Sequence, residues 1–282
     1  MKHWLKNIAS WQIGKTLYLS VVFSWDVARA AKMAREHKGT VIVGGPAAML
    51  NREAFDGVAA VRDTCQEAEP ILFHNPLASY SSRGCPNKCP FCAVPKIEGE
   101  LRETPSFRPA PLMCDNNFLA TSRGHQIRVV DRLTQFAAVD FNQGLDARLF
   151  TPEAADNLGR LKLHARFAFD HPSQETAVAD AIELCRERTS KHISVYVLFG
   201  YKDTPTEAVE RLEWVRARDA MPVAMRYQPL DATERNAFYP EQHAHGWTQH
   251  DLKRVHRYYS RLNWLGHIPF ADYNVAHEEL FT

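Results

Sequence analysis

From about residue 73 onward, short apolar segments alternate with segments that carry helix-start signals. This alternation is typical of strand–helix–strand units, whose connections produce a parallel sheet with helices packed against it. The predicted strands cover residues 77–82, 111–114, 136–141, 165–169, 193–199 and 223–227. We therefore predict an α/β fold with six strand–helix units in this part of the chain.

Two of the helices between these strands have starts that the sequence specifies. Thr151 and Thr204 each precede a proline, the residue best tolerated at the first helical position, and each offers a capping hydroxyl. Glu207 follows Thr204 by three residues and completes a capping box. Helices are expected to begin directly after these two threonines.

The N-terminal segment predicts a separate strand–helix–strand unit. Residues 16–23 and 40–43 are apolar and rich in β-branched side chains, and residues 26–37 between them have helical character. The second strand runs into Gly44-Gly45-Pro46. The last fifty or so residues instead mix aromatic and histidine side chains, and we predict a helical extension there.

Composition narrows the class of protein. The chain has 282 residues and 45% hydrophobic residues, enough for one full-sized domain with additions or for two modest ones. Its net charge of +1 provides no overall field that would attract nucleic acid or an anionic membrane. The sequence has neither an apolar run of membrane-spanning length nor a signal-peptide core, so we predict a cytoplasmic protein without a membrane partner.

Three of the six cysteines form one short motif, Cys85-Pro-Asn-Lys-Cys89-Pro-Phe-Cys92, directly after the first predicted strand. Structural iron–sulfur and zinc sites normally close with four protein ligands. Three thiolates at this spacing can bind one face of an iron–sulfur cube and leave its fourth iron open. The other cysteines, at positions 65, 114 and 185, are far apart in sequence and are expected to be buried thiols.

The C-x₃-C-x₂-C spacing resembles that of the radical S-adenosylmethionine (radical SAM) superfamily, and the resemblance extends over roughly residues 75–230. It implies a [4Fe–4S] cluster on Cys85, Cys89 and Cys92, S-adenosylmethionine (SAM) on the open iron, and a partial (βα)₆ barrel. The implied activity is reductive cleavage of SAM to a 5′-deoxyadenosyl radical, which abstracts hydrogen from a substrate. An external one-electron donor such as flavodoxin or ferredoxin is implied as a partner.

The resemblance also implies SAM contacts near the first two strands. Phe91 matches an aromatic position near the adenine, although ordinary core packing explains it equally well. Asp115, Asn116 and Asn117 end the second predicted strand, where relatives hold the amino group of SAM, and Asp115 and Asn116 are the better candidates. A helix N-cap is the alternative role for these polar residues.

Further SAM contacts are implied after the third, fourth and fifth strands. Gln143, Asp146 and Arg148 resemble a Gln-x-x-x-Asp/Arg element, in which a guanidinium clamps the SAM carboxylate; an Asp146–Arg148 structural strut is the alternative. Asp170 matches an acid that holds the ribose hydroxyls or, alternatively, caps a helix. Gly200 matches the family's glycine-bearing turn.

The motifs resemble the cobalamin-type and methylthiotransferase-like branches of the superfamily. The N-terminal unit resembles half of the Rossmann-like domain of the cobalamin-dependent branch, but the Asp-x-His-x-x-Gly motif is missing, so cobalamin is not predicted. We accordingly predict a truncated Rossmann-like segment over residues 1–72, a radical SAM core over 73–230 and a helical extension over 231–282.

Alternatives remain open for the class of protein and for the substrate. One rival class is a non-catalytic iron–sulfur redox or regulatory protein, and another is a zinc module with His74 or His125 as fourth ligand. The substrate is either a modified nucleoside or RNA, or a small metabolite or peptide. Four basic residues either track phosphates or form the solvated face of a helix, namely Lys253, Arg254, Arg257 and Arg261.

Overall fold

The computed structural model describes residue 4 and residues 7–65 and 67–274. Contacts between residues divide the chain into two compact units: Met1–His125 with Gln228–Arg235, and Gln126–Tyr227 with Asn236–Thr282. The structure is mixed α/β, which confirms the predicted class. The division into 1–72, 73–230 and 231–282 stays a prediction, and the bounds of the two units differ from it.

The first unit begins with a small sheet. Its elements are β1 (Ile8–Ile13), β2 (Thr16–Val21), α1 (Val27–Glu36), β3 (Thr40–Gly44), α2 (Pro46–Leu50) and β4 (Ala60–Val61). Strands β2, β3 and β4 run parallel, and α1 connects β2 to β3, so the predicted strand–helix–strand unit is confirmed. Strand β1 pairs antiparallel with β2 and was missed in the sequence.

The remainder of the first unit carries the cysteine motif. Its elements are α3 (Pro70–His74), β5 (Ala78–Ser79), β6 (Ser82–Arg83), α4 (Val94–Ile97), β7 (Arg102–Glu103) and β8 (Leu112–Met113). Strands β5 and β8 are parallel, whereas β6 and β7 form an antiparallel pair on either side of the cysteines. The prediction of one strand over 77–82 is wrong, because the backbone N–H of Ser81 bonds the Asp115 carboxylate and interrupts it.

Helix α5 (Arg123–Leu133) leads into the second unit. There the elements are β9 (Val139–Phe141), α6 (Pro152–Leu158), β10 (Leu163–Ala168), α7 (Glu175–Arg188), β11 (Ile193–Phe199), α8 (Pro205–Arg216) and β12 (Met221–Arg226). Within the second unit, four strands pair in the order β12-β11-β10-β9, and all of these pairs are parallel. The predicted strand 193–199 is confirmed to the residue.

Burial alternates along the strands of the second unit. In β10, Leu163, Ala165 and Phe167 are buried, whereas the residues between them are half-buried. Helices α7, α8 and α10 (Gln249–Ser260) pack against strands β10–β12. This one-sided burial of apolar side chains stabilises the packing of helices on the sheet. Each fully buried apolar side chain contributes about 1.5–3 kcal/mol to the free energy of unfolding.

The predicted helix starts and the C-terminal helices are confirmed. Thr151 caps α6 by accepting from the N–H of Ala154, and Thr204 with Glu207 forms a reciprocal capping box at α8. After β12 come α9 (Pro240–Ala244), α10 and α11 (Leu262–Leu265). Among the described residues, no helix has the length and apolar character that a membrane crossing requires.

Candidate functional site

The three cysteines lie in one loop whose two ends are joined. Strands β6 and β7 pair at the base of the loop, and the N–H of Cys85 donates to the carbonyl oxygen of Gly99 at 3.1 Å. Gly84 has φ +78°, and a Cβ there would lie 2.1 Å from the Glu100 carbonyl oxygen. Only glycine permits this close approach, so the loop begins from a fixed stem.

Polar N–H groups lie against two of the three sulfur atoms of the loop. All three cysteines are half-buried and none is in a disulfide. The backbone N–H of Asn87 lies 3.4 Å from Cys85 Sγ, that of Val94 lies 3.5 Å from Cys92 Sγ, and Asn117 Nδ2 lies 3.7 Å from Cys85 Sγ. Such donors stabilise thiolate charge, because they place partial positive charge against the sulfur.

Glu98 closes the stem of the loop. Its Oε2 accepts from the N–H of Gly84 at 2.9 Å and from Asn116 Nδ2 at 2.6 Å, and its Oε1 bonds Arg83 Nη2. Its side chain is only 12% exposed. One carboxylate therefore ties the loop to the segment after β8. No sequence signal indicates this role, since the bonded residues are 14, 15 and 18 positions away.

Asp115 lies in a buried hydrogen-bond network with two serines that precede the cysteine loop. Its Oδ1 accepts from the N–H and the hydroxyl of Ser81, at 3.0 and 2.7 Å, and from the hydroxyl of Ser82 at 2.7 Å. Its Oδ2 is buried and has no hydrogen-bond partner among the described residues. Burial raises the pKa of the Asp115 carboxyl, against the opposing effect of these donors. Asp115 therefore joins the segment after β8 to the segment after β5.

The two histidines considered as metal ligands are buried in other contacts. His74 lies 2.9 Å from the hydroxyl of Ser20. His125 Nε2 lies 3.1 Å from Ser81 Oγ, and its Nδ1 lies 3.6 Å from a Glu103 carboxylate oxygen. Because the Ser81 hydroxyl donates its proton to Asp115, Nε2 of His125 is the donor in that contact.

Among the candidate residues of the second unit, Asp146 and Arg148 form an ion pair. Arg148 donates from Nε and Nη2 to the two Asp146 oxygens at 2.8 and 2.7 Å, and its backbone N–H also bonds Asp146. The Arg148 side chain is 48% exposed. The pairing is the structural strut considered from the sequence, and it also holds the guanidinium in a defined orientation at the end of the turn after β9.

Asp170 follows β10 directly. Burial raises the pKa of its carboxyl to about 6, although the charges of Arg211 and Arg148 and a backbone hydrogen bond at Leu198 act in the opposite direction. Its backbone N–H bonds the side chain of Gln174. His171, not Asp170, caps the short helical turn that follows. The alternative role of Asp170 as a helix cap is therefore wrong.

Gln143 and Gly200 lie in turns of the second unit. Gln143 is exposed, next to Gly144 in a turn after β9. Gly200 has φ +76°, and its N–H donates to Asp203 Oδ1 at 2.9 Å. A Cβ at Gly200 would lie 3.0 Å from Gln242 Nε2. Glycine is thus required by the backbone of this turn.

One face of the second unit's sheet carries polar side chains that were not predicted as site residues from the sequence. Arg166 donates to both oxygens of Asp140 at 2.6 and 2.7 Å, and His164 lies 2.8 Å from Ser194 Oγ. Burial and the charge of Arg166 lower the pKa of His164, which favours the neutral imidazole. The polar alternation in Leu163–Ala168 was the signal available for this face.

The basic residues of α10 do not form a uniformly solvated face. Arg254 donates to the carbonyl oxygens of Tyr273, Phe270 and Ala271, and its guanidinium stacks 4.3 Å from the Phe270 ring centre. Lys253 and Arg261 are exposed. The prediction of a wholly solvated basic face is therefore wrong for Arg254, whose role is structural.

The three cysteine thiols of the loop are ligands of the kind that binds an iron–sulfur cluster. Within the described residues, no group of three or more His, Cys, Asp or Glu side chains is arranged to hold a single metal ion. A cube bonds each cysteine to a different iron, so the relevant observations are three adjacent thiols and the N–H donors around them. No protein-family model matches the chain, and no curated protein matches it.

Proposed function

We propose that this chain is a radical SAM enzyme that binds a [4Fe–4S] cluster through Cys85, Cys89 and Cys92. The observation that carries the proposal is the loop itself. It contains three half-buried thiols, N–H groups against two of the sulfurs, and a stem closed by the β6–β7 pair and by Glu98.

Three protein ligands leave one iron of a cube open, and SAM is the proposed ligand there. Cys85, Cys89 and Cys92 would hold the cluster, which when reduced would supply the one-electron chemistry that breaks the C5′–S bond of SAM and releases methionine. The chain's own contribution is to hold the thiolates. The N–H groups of Asn87 and Val94 and the side chain of Asn117 stabilise negative charge on sulfur.

The remaining candidate residues have separate proposed tasks. Asn116 offers an amide beside the loop for the amino group of SAM, and Phe91 offers a ring for the adenine. In the second unit, Arg148 offers a guanidinium already oriented by Asp146. Asp170 offers a carboxyl that can exchange a proton near neutral pH, since its pKa is about 6.

The finer fold and the partners belong to the same proposal. The parallel strands and their connecting helices support a partial (βα)₆ barrel. The polar side chains Asp140, His164 and Arg166 support a polar substrate, either a modified nucleoside or RNA, or a small metabolite or peptide. An external electron donor such as flavodoxin or ferredoxin completes the proposed system, which we place in the cytoplasm.

The test is anaerobic purification followed by analysis of iron, acid-labile sulfide and zinc. We expect about four irons and four sulfides per chain, and formation of 5′-deoxyadenosine after addition of dithionite and SAM. Replacement of Cys89 by Ala should abolish both, whereas Cys65→Ser, outside the motif, should preserve both. Stoichiometric zinc would contradict the proposal. An intact cluster that never cleaves SAM would instead support a redox or regulatory protein.

A further inference from the structure

Helix α10 buries one of its sides against the sheet of the second unit. The buried side chains of α10 are Leu252, Val255, Tyr258 and Tyr259, and the helix contacts strand β12. These residues recur at intervals of three or four, so they line one side of the helix. The apolar side of α10 is therefore already covered by this chain.

The opposite side of α10 is basic. Residues 249–265 include four Lys or Arg residues and one Asp, so this stretch carries three net positive charges, whereas the whole chain carries one. Lys253, Arg257 and Arg261 follow one another at four-residue intervals, which places them along one side of a helix with a rise of about 6 Å per step. Neither Lys253 nor Arg257 has a hydrogen-bond or ion-pair partner among the described residues. Their charges are therefore available to an anionic partner.

Trp264 on α11 lies next to these basic residues. It is 82% exposed, whereas no other Trp, Phe, Leu, Ile or Met among the described residues exceeds 47%. Its backbone N–H donates to the carbonyl oxygen of Arg261 at 2.8 Å, so a helical turn continues past the end of α10. Residues three positions apart on such a turn lie on the same side. The cationic side chains and an uncovered indole thus form one surface, the α10–α11 basic face, which consists of Lys253, Arg257, Arg261 and Trp264.

We propose that the α10–α11 basic face binds single-stranded nucleic acid. Cationic groups at regular intervals suit a chain of phosphates, and an exposed indole suits an unpaired base, which stacks on the ring. An anionic lipid surface would need an apolar helix face, which α10 has already buried. This inference adds a class of partner to the proposed function and does not rest on it, since it uses neither the cluster nor SAM.

The first experiment tests whether Trp264 stacks on a base. Fluorescence anisotropy of short labelled strands, titrated with the full chain, compares RNA and DNA of one sequence with strands of each kind that lack bases. Wild type should bind the base-bearing strand about 5- to 100-fold more tightly than the base-free strand. Trp264→Ala should lose most of this preference and bind the base-free strand as wild type does, whereas Trp264→Phe, which keeps a ring, should retain a preference.

The second experiment tests the phosphate contacts. Three contacts to a single strand predict a slope of about −2 for the logarithm of affinity against that of salt concentration, or roughly a 20-fold loss for a fourfold rise in salt. The combined changes Lys253→Gln, Arg257→Gln and Arg261→Gln should weaken binding and remove most of this slope. The matched control is Lys32→Gln with Lys162→Gln and Lys191→Gln, which removes the same charge from exposed positions on other parts of the chain and should leave both quantities unchanged.

Tight binding of either RNA or DNA supports the inference and identifies which strand is bound. The inference is overturned if wild type does not distinguish strands with and without bases, or if Trp264→Ala keeps the full preference. It is also overturned if the control variant loses as much affinity as the basic-face variant, or if anionic vesicles bind as tightly as the strands. Should the triple variant fail to fold, the Trp264 results decide, because that side chain is exposed. None of these outcomes bears on cluster content or SAM cleavage, so the proposed function is tested separately.

Discussion

At the scale of single residues, Asp170 shows how burial changes the chemistry of a carboxyl group. Its pKa is about 6 in the folded chain, because desolvation disfavours the charged form more than the nearby guanidinium groups favour it. The ordinary value for aspartate is 3.8. The folded chain therefore binds a proton at this site more tightly than the unfolded chain does.

This shift predicts how stability depends on pH. Between about pH 4 and pH 6, the folded state is protonated at Asp170 and the unfolded state is not, so the free energy of unfolding falls as pH rises. The full effect is about 3 kcal/mol, complete above pH 6. Relative to Asp170→Asn, which does not titrate, wild-type protein should lose stability over this range.

Urea denaturation of both proteins at several pH values from 4 to 7.5 checks the prediction. Taking the difference between the two proteins removes the contributions of the other titrating groups. A stability difference that stays constant over this pH range would contradict a raised pKa at Asp170.

The sequence located the cysteine loop but not the residues that hold it. The spacing of Cys85, Cys89 and Cys92 is local, so the motif can be recognised directly in the sequence. Glu98 acts through partners 14 to 18 positions away, and no pattern of residue types encodes such a contact. The burial of Asp115 was likewise invisible, because its partners Ser81 and Ser82 are ordinary strand and loop residues in the sequence.

At the scale of elements, two glycines determine the backbone of the cysteine loop and its stem. Gly84 and Gly99 both have positive φ, at +78° and +68°. A Cβ at Gly84 would lie 2.1 Å from the Glu100 carbonyl oxygen, whereas a Cβ at Gly99 would meet nothing within 4 Å. Comparing alanine substitutions at the two glycines therefore separates the energetic cost of a left-handed backbone from the cost of a steric collision.

We predict that Gly84→Ala lowers the free energy of unfolding by at least about 3 kcal/mol and reduces cluster uptake. Gly99→Ala should lower it by about 1–2 kcal/mol, the cost of a left-handed alanine alone. Thermal or urea denaturation of the two variants measures the stability difference, and iron analysis measures uptake. Equal losses for the two variants would show that the stem can open to admit the Gly84 methyl group.

Long, buried helices and strands were predicted more accurately from the sequence than short ones. Strand β11 was predicted to the residue, because seven successive apolar and half-buried positions leave little choice of structure. Helix α8 was found from the chemistry of Thr204 and Glu207. Strands β5 and β6 have two residues each, and tertiary hydrogen bonds to Asp115 and Glu98 rather than local preference determine where they break.

At the scale of the molecule, the described residues 236–274 belong to the second compact unit. Asp203 is the point of attachment. Its carboxylate bonds Arg211 Nη2 at 2.5 Å and the N–H of Gly200, and its carbonyl oxygen accepts from the indole of Trp247 at 2.7 Å. Trp247 also packs against Phe199 of β11. Strand end, helix and C-terminal segment therefore meet at Asp203.

The exposed fractions of the Asp203 and Arg211 side chains are only 6% and 7%. Asp203→Ala removes the carboxylate that bonds the buried guanidinium and should lower the free energy of unfolding by about 3–5 kcal/mol. Asp203→Ala combined with Arg211→Met should cost less than the sum of the single changes, because neither charge is left alone.

The exposed pair Asp156–Arg188 is the control, and Asp156→Ala should cost no more than about 1 kcal/mol. Urea denaturation measures these losses of stability. Equal losses for Asp203→Ala and Asp156→Ala, or strict additivity of the double change, would mean that the C-terminal segment is held independently of this pair.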